Sequence, residues 1–94
     1  MIAEKSVHIL ITGRVQSVGY RAWVRDKAAT LGLSGWVRNR RSGTVEAVFR
    51  GPAGPVEEML HACRTGPRWA GVDGLEIVSE AEPVTEGFVV RETV

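Results

Sequence analysis

The chain has only one cysteine, Cys63, in 94 residues. A single thiol cannot form a disulfide within the chain, and it cannot supply a cysteine-based metal cluster. Histidine is also scarce, with only His8 and His61. Neither histidine belongs to a Ser/His/Asp arrangement or to a metal-ligand spacing, and no paired carboxylates mark a site. The sequence therefore predicts no metal and no cofactor.

Long apolar runs are missing as well. No run approaches the ~20 residues of a membrane-spanning helix, and Met1–Lys5 does not open a signal peptide. Repeats, low-complexity tracts and linkers are not found. We therefore expect a cytoplasmic protein with no membrane partner, formed by residues 1–94 as a single domain. At this size a monomer is the default expectation.

Charge is nearly balanced overall but unevenly distributed along the chain. The formal net charge is +1, yet residues 1–41 carry +6 and residues 42–94 carry −5. The basic half suits a small anionic ligand. A hydrophobic share of 44% is ordinary for a protein with a packed core.

Hydrophobic periodicity predicts strands and helices in a recognisable order. Strand patterns occur at residues 7–12, 34–39, 44–50, 75–78 and 88–90. A helix is expected from Tyr20 to Leu31, and a second from Pro55 to just before Gly66. The order predicts an α+β, ferredoxin-like fold (βαββαβ). In such a fold two helices cover one face of an antiparallel sheet, here with a short extra C-terminal strand.

The segment GRVQSVGYR at residues 13–21 lies between the first strand and the first helix. Such a crossover directs several backbone N–H groups at one point, beside the positive end of the helix dipole. Arg21, in the first helical turn, can direct a permanently charged guanidinium at the same point. The loop lacks the Walker A lysine and the three-glycine dinucleotide fingerprint. It predicts a phosphate-binding loop that needs no metal.

A second segment, GWVRNRRSGTVE at residues 35–46, is typical of a strand, a tight turn and the start of another strand. The first segment resembles the G-x-V-Q-G-V-x-[FY]-R signature of acylphosphatases. The second is similar to the G-W-V-x-N-x-x-D-G-x-V-E signature of that family, and the two occur in the family's order and separation. Ser17 stands where the family usually has glycine, and Ser42 stands where it usually has aspartate.

The resemblance implies an acylphosphatase, a hydrolase that converts an acyl phosphate to a carboxylate and inorganic phosphate without a metal. It implies that Arg21 and Asn39 are catalytic: Arg21 grips the phosphoryl group, and the Asn39 amide orients the attacking water. The implied phosphate-binding residues are Gln16, Ser17, Val18, Gly19, Tyr20 and Arg21, through their backbone N–H groups. Inorganic phosphate is then both product and competitive ligand, while the acyl group (acetyl, carbamoyl, glycolytic or protein aspartyl) stays open.

Other residues that often carry chemistry are interpreted as structural or as surface residues. Arg14 and Arg25 are predicted to be solvated charges, and His8 and His61 are not expected to act in acid–base catalysis. Cys63 falls in the apolar stripe of the second helix, so no reactive thiolate is expected. Packing roles are predicted for Trp23, Trp36 and Trp69.

Two alternatives come from other functional classes. A single-stranded RNA-binding module shares the βαββαβ order and would suit a basic half. It needs aromatic residues on the open face of its central strands, and the 44–50 strand has only Phe49, on the same face as Val45 and Ala47. Alternatively, acylphosphatase-like domains occur within larger hydrogenase-maturation carbamoyltransferases, which suggests a carbamoyl-phosphate-handling module. The acylphosphatase hypothesis predicts no nucleic-acid partner.

Overall fold

The computed structural model describes residues 4–16, 19–80 and 87–94. In chain order its elements are β1 (Glu4–Arg14), α1 (Tyr20–Thr30), β2 (Ser34–Asn39), β3 (Val45–Pro52), α2 (Ala53–Thr65), β4 (Gly71–Glu80) and β5 (Phe88–Val90). The predicted order, with its short final strand, is confirmed. Within the described ranges, neither helix has the length and apolarity needed to cross a bilayer.

The five strands form one sheet in the order β4-β1-β3-β2-β5. β1 pairs antiparallel with β3 and with β4, and β2 pairs antiparallel with β3. The register sets Ile9 opposite Ala47 and Ile11 opposite Val45, so the apolar residues of β1 and β3 share one face. β5 runs parallel to β2. The extra strand therefore adds a parallel edge to an antiparallel sheet and makes the whole sheet mixed.

Both helices cover the apolar face of this sheet. α1 buries Tyr20, Val24 and Ala28, which recur every four residues. α2 buries a stripe made of Val56, Met59, Leu60 and Cys63. Both stripes belong to one buried cluster with the inward-facing residues of β1 and β3. This arrangement is the predicted ferredoxin-like α+β architecture.

Several elements differ from the predicted bounds, and α2 and β4 show why. α2 begins at Ala53, so Pro55 lies inside the first turn, where a missing N–H breaks no helical hydrogen bond. β4 spans Gly71–Glu80 and is longer than the apolar run at residues 75–78. Its pairing with β1 shifts register twice, and such irregularities interrupt the alternation that would otherwise indicate a strand.

Candidate active site

The loop between β1 and α1 starts at a close contact between two strands. Gly13 has a φ of 121°, and a side-chain carbon there would lie 2.1 Å from the carbonyl oxygen of Gly71. Only glycine lets β1 pass β4 in this conformation. Val15 follows and is fully buried, so the chain is anchored in the core before the loop. Ser17 and Val18, both predicted to bind phosphate, lie outside the described residues.

The first turn of α1 has backbone N–H groups with no hydrogen-bond partner among the described residues. Gly19 caps the helix in the left-handed conformation, with φ 76° and ψ 15°, and no side-chain cap or acidic residue is found at this described end. The N–H of Trp23 donates to the carbonyl oxygen of Gly19 at 3.0 Å, so the N–H groups of residues 20–22 precede the first helical hydrogen bond. The positive end of α1 is thus available to an anion.

Arg21 faces a cavity at this helix end. The cavity has a volume of 240 Å³, and its lining includes Gly19, Arg21 and Val15, together with Arg25 and Val90. The ion pairs among the described residues do not include Arg21. Arg21 therefore borders the same space as the helix terminus.

The side chain of Tyr20 belongs to the core. Its ring is buried, and its hydroxyl donates to the carbonyl oxygen of Cys63 at 2.9 Å. Burial raises the pKa of Tyr20 above its ordinary value, so the phenol stays protonated. Burial also raises the pKa of the Cys63 thiol to about 12, which agrees with the prediction that Cys63 is not a reactive thiolate.

Asn39, the last residue of β2, lies on the same face of the sheet as Val37, the face that the helices cover. Its side chain is largely enclosed, with 9% of the residue exposed. The amide oxygen Oδ1 is buried and has no hydrogen-bond partner among the described residues. Buried polar atoms are normally satisfied, so this oxygen is suited to hold a water or substrate atom.

Gln16 brings the two predicted segments together. Its Nε2 donates to the carbonyl oxygen of Arg40 at 2.7 Å and to that of Thr44 at 2.8 Å. Arg40 directly follows Asn39, and Arg40 and Thr44 also bond to each other across the turn. The side chain therefore ties the loop to the β2–β3 turn beside Asn39. Sequence reasoning missed this role because the two acceptors lie 24 and 28 residues away.

A buried carboxylate lies at the base of the same turn. Glu46, 5% exposed, accepts hydrogen bonds from Arg38 Nε at 2.7 Å and Arg40 Nη1 at 3.0 Å, and its Oε2 lies 2.5 Å from His8 Nε2. Burial alone would raise the pKa of Glu46, but the hydrogen bonds from Arg38, His8 and Arg40 outweigh it and hold the pKa below its usual value. The sequence did not indicate this partner of His8, which is 38 residues distant.

Two other sequence predictions have opposite outcomes. His61 is exposed, as expected for a residue off the apolar stripe of α2. The packing role predicted for Trp69 is wrong, because Trp69 is 52% exposed. A methyl group placed on Gly19 would lie 3.8 Å from the indole Nε1 of Trp69. Trp69 therefore borders the loop, on a connection from α2 that gives no periodic signal.

Comparisons with known proteins agree with the resemblance carried by the two signature segments. The family model described as acylphosphatase matches residues 7–90. The acylphosphatase of Azorhizobium caulinodans is 56% identical over 90 residues, which cover 95% of this chain and 97% of that protein. The acylphosphatase of Rhodospirillum rubrum is 52% identical over 84 residues, covering 89% and 92% of the two chains.

A solved structure has the same fold. The crystal structure of acylphosphatase from Bacillus subtilis superposes with a TM-score of 0.86 at 29% sequence identity. The match covers 95% of this chain and 99% of that one. The ferredoxin-like architecture is therefore shared over nearly the full length of both chains.

Proposed function

The chain belongs to the acylphosphatase family of enzymes, and on that premise we propose that it hydrolyses acyl phosphates without a metal. In this proposal Arg21 and the loop at residues 16–21 bind the phosphoryl group, and Asn39 orients the attacking water. The observation that supports it most is that Arg21 and the uncapped start of α1 line one cavity.

The phosphoryl group is held by charge and by fixed donors. N–H groups at the start of α1 donate to its oxygens, and the Arg21 guanidinium forms charge-assisted hydrogen bonds to the same group. These donors are held by the helix before substrate arrives, so they need little reorganisation when negative charge shifts during the reaction. The loop residues 16–18 complete the proposed set of donors.

Water is positioned by Asn39. Its buried Oδ1 lacks a protein partner within the described residues and can accept a hydrogen bond from the nucleophilic water. The Gln16 side chain, bound to the turn beside Asn39, sets the distance between this water and the loop. Holding two reactants in line in this way contributes to rate without a further catalytic group.

The chemistry suits so small a set of groups. Water attacks phosphorus in line with the bond to the acyl oxygen, that bond breaks, and a carboxylate leaves with the bonding electrons. A carboxylate is a good leaving group and needs no protonation. The proton of the water passes to a phosphoryl oxygen, so the products are a carboxylate and inorganic phosphate.

The aromatic residues do not favour the RNA-binding alternative. Phe49 is fully buried and stacks on Phe88, as the sequence predicted for a core residue. Trp36 lies on the opposite face, where the guanidinium carbons of Arg38 and Arg91 each lie 4.7 Å from its ring centroid. These two side chains cover the indole, so it is not offered to a base for stacking.

Hydrolysis of benzoyl phosphate in the presence of EDTA tests the proposal. We expect fast turnover of benzoyl phosphate and little turnover of p-nitrophenyl phosphate, whose leaving group is poorer. Carbamoyl phosphate belongs in the same assay, since the carbamoyl alternative predicts a preference for it. Complete inhibition by EDTA would refute the metal-free mechanism. RNA binding at physiological salt without hydrolysis would favour the other alternative.

A further inference from the structure

The cavity beside Arg21 is lined by more positive charge than the proposed binding of one phosphoryl group involves. Among the described residues, its lining contains two arginines, Arg21 and Arg25, and no acidic residue. The remaining lining residues, among them Val15 and Val90, are uncharged. Two positive charges beside one open cavity favour a ligand with negative charge at two points.

The two arginines are spaced along one face of α1. They are four residues apart, so their side chains are neighbours on the helix surface, about 6 Å apart along its axis. Arg21 lies in the first turn, where the phosphoryl group is proposed to bind, and Arg25 lies one turn further along α1. An acyl group that leaves the phosphoryl site along the cavity therefore runs toward Arg25.

We propose that Arg25 is a specificity-determining residue that binds a second anionic group on the acyl part of the substrate. The preferred substrates are then short acyl phosphates that carry a carboxylate or a phosphate at the far end of the acyl group. This inference rests on the proposed function of the same site. It revises the prediction that Arg25 is only a solvated charge.

The surroundings of Arg25 leave it able to bind such a group. Its only ion pair within the described chain is Nε to Oδ1 of Asp26 at 3.1 Å, and the two side chains are 49% and 72% exposed. Exposed pairs of this kind contribute little, and this contact leaves both terminal nitrogens of the guanidinium free of Asp26.

The cavity size limits how much of the acyl group lies inside it. Its 240 Å³ equals about eight water molecules at roughly 30 Å³ each, which is below the ~300 Å³ at which sites for drug-sized ligands begin. A phosphoryl group with a short chain or a single ring fits this space. A longer or branched acyl group would extend beyond this space.

A matched set of substrates tests the role of Arg25. Benzoyl phosphate is compared with 3-carboxybenzoyl phosphate and 4-carboxybenzoyl phosphate, which differ from it only by a carboxylate at two different distances from phosphorus. The readout is the ratio of kcat/KM for each carboxylated substrate to that for benzoyl phosphate. In the parent enzyme at least one ratio exceeds one. In Arg25→Gln we expect that ratio to fall about threefold to tenfold, the range for one partly exposed charged contact.

The control is Arg64→Gln, which removes the same charge from an exposed position in the last turn of α2. It should leave the ratio unchanged within about twofold, since Arg64 does not line the cavity and exposed charges are screened by salt. The inference is overturned if Arg25→Gln shifts the ratio no more than Arg64→Gln does. Failure of the parent enzyme to hydrolyse benzoyl phosphate would instead refute the proposed function itself.

Discussion

In the proposed mechanism, Arg21 binds the phosphoryl group and Asn39 positions the attacking water. Arg21 lines the cavity and carries a positive charge, and Asn39 provides a buried oxygen without a protein partner in the described chain. Arg21 is proposed to contact the phosphoryl group both before and during the reaction. The proposed partner of Asn39 is only the water. Substitutions of Arg21 and of Asn39 should therefore differ in whether they weaken phosphate binding as well as in how much activity they remove.

We expect Arg21→Gln to lower kcat/KM by roughly 10²- to 10³-fold and to weaken inhibition by inorganic phosphate in parallel. Asn39→Ala should lower kcat while the inhibition constant for phosphate stays close to that of the parent, because phosphate does not need the water site. Steady-state kinetics with benzoyl phosphate, with and without phosphate, measure both effects.

A different pattern would reverse these assignments. If Asn39→Ala lost phosphate inhibition while turnover of bound substrate stayed normal, Asn39 would be a phosphate ligand and not a water-positioning residue. Arg64→Gln is again the matched control for loss of one positive charge, and it should leave both constants unchanged.

At the scale of elements, the Gln16 side chain joins two segments that are distant in sequence. The loop after β1 holds the proposed phosphate donors, and the β2–β3 turn follows Asn39. The two hydrogen bonds from Nε2, at 2.7 and 2.8 Å, determine how the loop lies against the turn. A shift of about 1 Å between reacting groups can cost on the order of 10²-fold in rate.

Replacing Gln16 by Met tests this link, because Met keeps the length of the side chain and removes both hydrogen bonds. We expect kcat with benzoyl phosphate to fall about tenfold to a hundredfold, and the free energy of unfolding to fall by about 1–2 kcal/mol. Gln16→Glu should lose more activity, since its carboxylate would face two carbonyl oxygens. Kinetics and urea unfolding measure the two effects separately.

Parent-like kcat in Gln16→Met, together with the expected loss of stability, would show that the link stabilises the fold without positioning the site. An equal loss of activity in both Gln16 variants would mean that the repulsion expected for Glu has no effect on the loop.

Across the whole molecule, Glu46 connects three adjacent strands near the centre of the sheet. It lies on β3, receives a hydrogen bond from Arg38 on β2 and contacts His8 on β1. Arg40, its third partner, is also the residue whose carbonyl oxygen binds Gln16. The carboxylate is nearly enclosed, so its ionised state depends on these partners. The Glu46 carboxylate thus contacts residues that hold the sheet together and a residue that binds Gln16 beside the site.

This cluster predicts how stability depends on pH. The pKa of Glu46 is lowered in the folded protein. Its contribution is therefore fully present above its unfolded pKa of about 4.3 and is lost as the pH falls through the lower, folded-state pKa. We expect Glu46→Gln to lower the free energy of unfolding at pH 7 by about 1–3 kcal/mol, and the difference from the parent to shrink below pH 4.

Urea unfolding at a series of pH values measures this difference. The control is Glu58→Gln, which changes an exposed carboxylate of α2 and should leave the pH dependence close to that of the parent. A Glu46→Gln penalty that stayed constant from pH 7 to pH 3 would show that folding does not lower the pKa of Glu46.

The sequence by itself determined the order of the elements and the family. Alternation at β1 and β3 and helical spacing in α1 and α2 are local patterns, so they are visible without a structure. The glycines after α1 and in the β2–β3 turn, Gly32 and Gly43, have φ values of 70° and 100°, and such positions favour glycine for reasons of local sterics. The two signature segments are also local, which is why the candidate roles of Arg21 and Asn39 could be assigned before any coordinates were considered.

Only the tertiary structure decided how these residues meet. The contact of His8 with Glu46 depends on the pairing register of β1 and β3, and the Gln16 bonds depend on where the loop settles against the turn. Arg25 lines a cavity that exists only once Val90 lies beside α1. Each of these contacts joins residues far apart in sequence, and no local periodicity encodes such a distance. Strand pairing and helix packing bring them together, because the chain must bury one face of the sheet beneath both helices.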